Sequence, residues 1–211
     1  MANKDHSLDG RIAEAALAEF MQCGYEKASL RKIAAAADVT VGAIYTRYKT
    51  KDSLFCSMVE PLIRRIRQSF QEIRADYYKE VTPVAPEHIA QAMQQENEAI
   101  LHLLFDDYDR AVLLLCRSRG SSLEHFFDQI VQSKIEETTA FYQSIQIPHP
   151  PANVMKLLIT AQFHMYFQVI EEGFCLEEAR QVMDAVMVYN TGGWLALMNG
   201  TAAKSDKEEQ V

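Results

Sequence analysis

From Phe55 to Tyr77 the large apolar residues recur every third or fourth position: Phe55, Met58, Leu62, Ile66, Phe70, Ile73 and Tyr77. That spacing gathers side chains on one face of a helix but scatters them over both faces of a strand. The same period runs through most of the chain. Repeated Val/Ile alternation between Asn-Gly or Asp-Gly turns, which would mark hairpins, is missing. The fold class is therefore all-α.

Hydroxyl caps divide the helices. Ser7, Ser29, Thr40 and Thr50 can each accept from the free N–H groups of a first turn, and Gly24 is placed to end the first helix, which carries Ile12, Ala16 and Phe20. Three short helices fill the first 50 residues. The fourth runs to about Glu80, where Val81–Pro86 stops it, and Pro61 inside it removes one backbone hydrogen bond and should kink it. The fifth fits Glu87–Phe105 and the sixth Asp109–Ser118. The seventh starts at Ser121, with Glu124 completing a capping box, and reaches about Ser144. After the loop QIPHPPA, the eighth and ninth fit Asn153–Glu172 and Glu177–Met198, and TAAKSDKEEQV reads as a solvated, disordered tail.

Hydrophobic residues make up 48% of the 211, enough for a packed core. No apolar run approaches the roughly 20 residues that span a bilayer, and MANKDHSLDG has no apolar signal region, so the expectation is a cytoplasmic protein without a membrane partner. Cys23, Cys56, Cys116 and Cys175 are scattered and read as reduced thiols. The net charge of −8 is uneven: residues 1–80 hold 13 Lys and Arg against 11 Asp and Glu, the remainder 8 against 18. Between Ser29 and Lys51, Arg31, Lys32, Arg47, Lys49 and Lys51 face Asp38 alone. A basic patch on an acidic chain suits a protein that meets phosphate at one end.

Leu30–Ala36, the turn at Ala37–Val39 and Val41–Thr46 are the parts of a helix-turn-helix. In the second helix Ile44 is the anchor. Thr40, Val41, Ala43 and Tyr45 present small or polar groups, which lets a helix enter a major groove. Tyr48, Lys49 and Lys51 fall at the rim, and the start of the fourth helix offers backbone N–H groups to phosphate.

The stretch RIAEAALAEFMQCGYEKASLRKIAAAADVTVGAIYTRYKTKDSLF resembles the DNA-binding domain of the TetR family of transcriptional regulators. The match covers about 45 residues, including Gly24, Ser29, Ile33-Ala34, Val39-Thr40, Gly42, Ile44-Tyr45, Tyr48, Lys51 and Leu54. Asp38 stands at the glycine of the turn, and Arg47 at a commonly aromatic or His position. The resemblance implies a DNA-binding domain over residues 1–55, an effector-binding and dimerisation domain over 56–199, and a tail over 200–211. It implies a homodimer on a palindromic operator, acting as a repressor that a small effector releases, with no catalytic activity, cofactor or metal. Carried over by position, Ser29, Thr40, Val41, Ala43, Tyr45, Arg47, Tyr48, Lys49 and Lys51 would meet DNA. Lys51→Ala should then lower the slope of log K against log salt by about 0.9.

Helix eight is apolar nearly all round and helix nine repeats the pattern, so each needs burial on more than one side. Leu158, Met165, Val186, Tyr189, Gly193 and Trp194 are candidates for the subunit interface. Met93, His102, Tyr108, Cys116, Phe127, Tyr142, Phe163, His164 and Phe167 are candidates to hold an apolar, neutral or cationic effector in a pocket of roughly 300–1,000 Å³. The rival reading is a small all-α enzyme or metal-binding protein using His102, Asp106, Asp107 and Asp109. The segment HLLFDDYD lacks the glycine and distal Glu of a calcium loop.

Overall fold

The computed structural model describes the backbone of residues 7–79, 86–145 and 149–208, and the side chains of 7–72, 89–144 and 149–199. Lys4, most of the Val81–Pro86 break and the first part of the QIPHPPA loop lie outside the described residues. Among those described there are nine α-helices and no strand: α1 Leu8–Lys27, α2 Leu30–Ala36, α3 Val41–Arg47, α4 Lys51–Lys79, α5 Pro86–Phe105, α6 Tyr108–Cys116, α7 Phe126–Ile145, α8 Ala152–Glu171 and α9 Leu176–Glu208.

Three of the four hydroxyl caps form as the sequence suggests. Ser7 Oγ accepts from Gly10 N and Thr40 Oγ1 from Ala43 N, each at 3.1 Å. Thr50 and Ser53 cap each other, Ser53 N donating to Thr50 Oγ1 at 2.9 Å and Thr50 N to Ser53 Oγ at 3.0 Å. At Ser29 the hydroxyl makes no capping bond. The buried Glu19 carboxylate reaches across from α1 and accepts from Ser29 N at 3.0 Å instead. Regular α1 geometry breaks at Gly24, whose φ of 74° costs glycine nothing.

Two boundaries differ from expectation. The capping box at Ser121 does not form: Ser121 Oγ accepts from Leu123 N, Glu124 accepts from Gly120 N, and α7 begins five residues later at Phe126. Both side chains are spent on closing the turn after α6. The stretch after Met198, expected as a tail, continues α9 to Glu208; Ala202, Ala203, Lys204 and Lys207 are good helix formers. α4 stays helical through the exposed Pro61.

Packing divides the chain into two units that interleave along the sequence. Unit 1 is residues 1–68 with 104–126, and unit 2 is 69–103 with 127–211. The division by role at 55/56 suggested by the sequence therefore cuts through unit 1, because α6 packs on α1. Its core holds Phe20, Tyr25 and Phe55, with edge-to-face contacts at 5.1 Å for Phe20–Phe55 and 5.3 Å for Tyr25–Phe55. Arg110 ties α6 to α4, donating from Nε to the Met58 carbonyl at 2.6 Å while Nη1 grips both Asp107 oxygens at 2.9 and 3.0 Å.

A second tie joins the start of α4 to the turn after α6. Ser122 donates from its backbone N and its Oγ to Asp52, both at 2.8 Å. Burial alone would raise the Asp52 carboxyl, but the bonds from Ser122, with a further one from Cys56, outweigh it and hold it below the ordinary value. A depressed carboxyl stabilises the fold above its unfolded value of about 3.9, and that contribution is lost as the pH falls through the lower folded value. Melting temperature measured against pH should therefore show a steeper acid limb in the wild type than in Asp52→Asn or Ser122→Ala. Equal limbs would remove this tie from the stability of unit 1.

Candidate nucleic-acid interface and ligand cavity

The turn between α2 and α3 depends on Asp38, whose φ of 52° makes it the one non-glycine residue with positive φ among those described. Asp tolerates this conformation better than most residues, which is why it can stand in the glycine position. The Asp38 N–H closes the turn on Ala35 O and Val39 N on Ala34 O. Ile44 is fully buried and fixes the roll of α3. That roll leaves Thr40, Gly42, Tyr45 and Thr46 exposed, with Val41 and Ala43 half-buried beside them. Tyr45 is 50% exposed, the most exposed large apolar group described in unit 1. The Thr40 hydroxyl that caps the helix still has its own proton to donate outward.

The expected cations separate into two kinds. Lys49 and Arg31 are exposed and pair with no acidic side chain among the described residues. Arg47 is ion-paired to Asp9 of α1, and Lys32 approaches Glu19 at 4.0 Å. Lys51 is different. Its ammonium donates to the carbonyls of Tyr25, Glu26 and Ala28 at 2.7, 3.2 and 3.2 Å, and it sits 4.4 Å from the centre of the Tyr25 ring. All three N–H donors are committed to the end of α1, where Lys51 acts as a helix C-terminal cap rather than presenting its ammonium outward as Lys49 does.

In unit 2 a cavity of about 100 Å³ lies among α5, α7, α8 and α9. Of the nine effector candidates, Met93, Tyr142 and Phe163 line it. Phe127, His164 and Phe167 instead form a ring cluster, with centroids 5.2 Å apart for Phe127–His164 and 5.9 Å for Phe127–Phe167. Phe127 lies about two turns before Lys134 on α7 and Phe167 about one turn after Phe163 on α8, so both stand beyond the stretch of their helices that lines the cavity. His102 is exposed beside Glu98, and Tyr108 and Cys116 belong to unit 1. Trp194, expected at a subunit interface, lines the cavity and donates from Nε1 to the Tyr142 hydroxyl at 2.7 Å. Burial raises the Tyr142 phenol. Tyr166, raised by burial and then by the neighbouring Glu96 charge, donates to Asn97 Oδ1 at 2.9 Å.

The sequence reading missed Glu96 and Lys134, which also line the cavity. Lys134 Nζ lies 2.5 Å from Glu96 Oε1, yet that oxygen has no partner in hydrogen-bonding geometry. The close approach is an ion pair, and its direction falls short of a hydrogen bond.

Of the other interface candidates, Leu158, Tyr189 and Gly193 are exposed, and Met165 and Val186 are half-buried. Two acids of HLLFDDYD serve as ion-pair partners: Asp106 meets Arg65 at 3.1 Å and Asp107 meets Arg110. No group of three or more His, Cys, Asp or Glu among the described residues could hold a metal ion, and no described helix is long and apolar enough to cross a membrane.

A capped, groove-sized helix following a tight turn, carried on a helical body, defines a helix-turn-helix protein. Residues 12–58 match the family described as bacterial regulatory proteins, tetR family. The chain is 34% identical over 106 residues to the probable acrEF/envCD operon repressor of Escherichia coli, a match covering 44% of this chain and 45% of that protein. The matched part thus spans less than half of that relative's length. A TetR-like transcriptional regulator from Rhodococcus sp. RHA1 shares the fold with TM-score 0.59 and 17% identity, over 88% of this chain and 96% of that one. The regulator FadR of Bacillus subtilis, solved with stearoyl-CoA, gives TM-score 0.56 and 21% identity over 87% and 97%.

Proposed function

We propose that the chain is a sequence-specific DNA-binding transcriptional repressor, working as a homodimer and released from its operator by a small molecule held in unit 2. The observation that carries the reading is α3: a helix whose one buried anchor is Ile44 and whose outward residues are small or hydroxylated. Such a surface fits the major groove, with Thr40 and Tyr45 placed for base edges or phosphate and Ala43 for a thymine methyl. Arg31 and Lys49, with Arg47 once it leaves Asp9, supply phosphate contacts. Release needs an effector that binds better to a form of the dimer whose recognition helices miss successive grooves, about 34–36 Å apart.

Selection of bound fragments from a random duplex pool tests this. A palindromic site is expected, and Tyr45→Ala should lose about 1–3 kcal/mol of specific binding while keeping non-specific affinity. Enrichment of no sequence would defeat the proposal.

A further inference from the structure

We propose that the cavity of unit 2 takes a small organic cation, a quaternary or protonated amine carrying an aromatic or branched alkyl group. Glu96 is its counter-ion and Lys134 the group it displaces. This deepens the effector reading above and rests on it.

The two charges in the cavity differ in how firmly they are held. The Glu96 side chain is 11% exposed and short, so its carboxylate cannot reach bulk water without α5 moving. Lys134 is 23% exposed on a four-carbon stem, and its ammonium can swing outward while the stem still covers apolar surface. The fixed charge of the site is therefore negative, and the positive one is removable. Moreover, Glu96 Oε1 is buried and without a hydrogen bond, which leaves its neutralisation to an ion pair of imperfect geometry. A half-buried pair of this kind gains little over its desolvation cost and is readily exchanged for a better-fitting cation.

The walls favour the same class. Phe141, Tyr142, Phe163 and Trp194 line the cavity, and aromatic faces attract ammonium groups, quaternary ones especially. An anion entering here would face Glu96. A neutral molecule would gain apolar contact but leave the Lys134–Glu96 pair in place. At about 100 Å³ the space is smaller than the roughly 150 Å³ that holds a benzene, so a ligand with a ring and an ammonium head needs the volume that the Lys134 side chain occupies, which makes its displacement part of the proposal.

Trp194 is the single tryptophan of the chain, so its fluorescence reports on this site alone. The full chain, without DNA, is titrated with benzyltrimethylammonium, with its neutral isostere neopentylbenzene, and with phenylacetate. The cation is expected to bind at least about 10-fold more tightly than either of the others. Glu96→Gln should abolish that preference, and Lys134→Met, which removes the competing ammonium, should strengthen cation binding several-fold. Circular dichroism confirms that each variant is folded; should Glu96→Gln fail to fold, Lys134→Met decides. Equal binding of the isostere or the anion, a preference that survives Glu96→Gln, or unchanged cation affinity in Lys134→Met would overturn the proposal. A second titration follows retention on the selected operator. A cation that binds the cavity but leaves DNA retention unaltered overturns the effector reading and upholds the site. Absent binding overturns the site, whatever the DNA does.

Discussion

Lys51→Ala is expected to destabilise unit 1 by about 2–4 kcal/mol while leaving the salt slope of DNA binding unchanged. The magnitude follows from what the ammonium does. It makes three charge-assisted hydrogen bonds to carbonyls at the end of α1, each worth up to about 1.5–3 kcal/mol in isolation but not additive on one group. It also lies over the Tyr25 ring, worth about 0.5–1 kcal/mol at a partly exposed site. Removing it takes a charged donor from the Tyr25, Glu26 and Ala28 carbonyls where regular α1 has already broken at Gly24, leaving Tyr25 O with the weaker neutral bond from Ala28 N at 3.2 Å. Urea unfolding followed by circular dichroism would measure the loss. Lys49→Ala is the contrasting variant: exposed and unpaired, it should leave stability within about 0.5 kcal/mol and lower the slope of log K against log salt by about 0.9. If Lys51→Ala lowered the slope at a temperature where unit 1 is still folded, the ammonium would have to leave α1 in the complex, and its role as a cap would be refuted.

Lys51 also shows what a sequence can carry and what it cannot. Its charge and its place at the start of α4 were legible, as were Gly24, the caps at Ser7, Thr40 and Thr50, and the left-handed Asp38, because each is a local rule written in one or two residue types. The acceptors of Lys51 are backbone carbonyls 23 to 26 positions earlier. Carbonyls have no residue identity, so no pattern announces them. The cavity was half legible for a related reason. Aromatic residues at helical spacing pointed to Tyr142 and Phe163, but the same signal drew in Phe127 and Phe167, which share the period and lie about one or two turns beyond the lining stretch of the same helices. Glu96 and Lys134 are 38 residues apart on different helices, and in sequence each looks like one more solvated charge. The capping box expected at Ser121 fits its pattern, but the two side chains accept from other donors, Glu124 from Gly120 N and Ser121 from Leu123 N, both at 3.1 Å.

Disrupting the exposed face of α8 and α9 is expected to turn a dimer into a monomer and weaken operator binding by about 10²–10⁴-fold. The two helices pack on each other, yet together they leave large apolar groups in water: Leu157 is 71% exposed, Val188 77% and Tyr189 79%, with Leu158 and Val182 near 40%. On α9 Val182, Ala185, Tyr189, Gly193 and Ala196 recur at intervals of three and four, with Gly192 beside them, so they form one stripe. A helix with its apolar stripe uncovered wants a partner, and two-fold pairing covers the same stripe on both copies at once. Leu157→Asp with Tyr189→Asp places four carboxylates in such an interface, and sedimentation should report a monomer whose helicity is unchanged. The affinity loss follows because each head of a dimer raises the effective concentration of the other at its half-site, an advantage that ends when the copies part. The glycines give an independent sign. A Cβ at Gly192 or Gly193 would meet nothing within 4 Å in the single chain, so Ala at both should stabilise an isolated α9 by about 1 kcal/mol each. If the stripe is a close helix crossing between copies, the same methyl groups push the helices apart and the dimer dissociates at higher concentration than the wild type. A double Gly→Ala variant that is more stable and just as dimeric would move the subunit contact away from this stretch of α9.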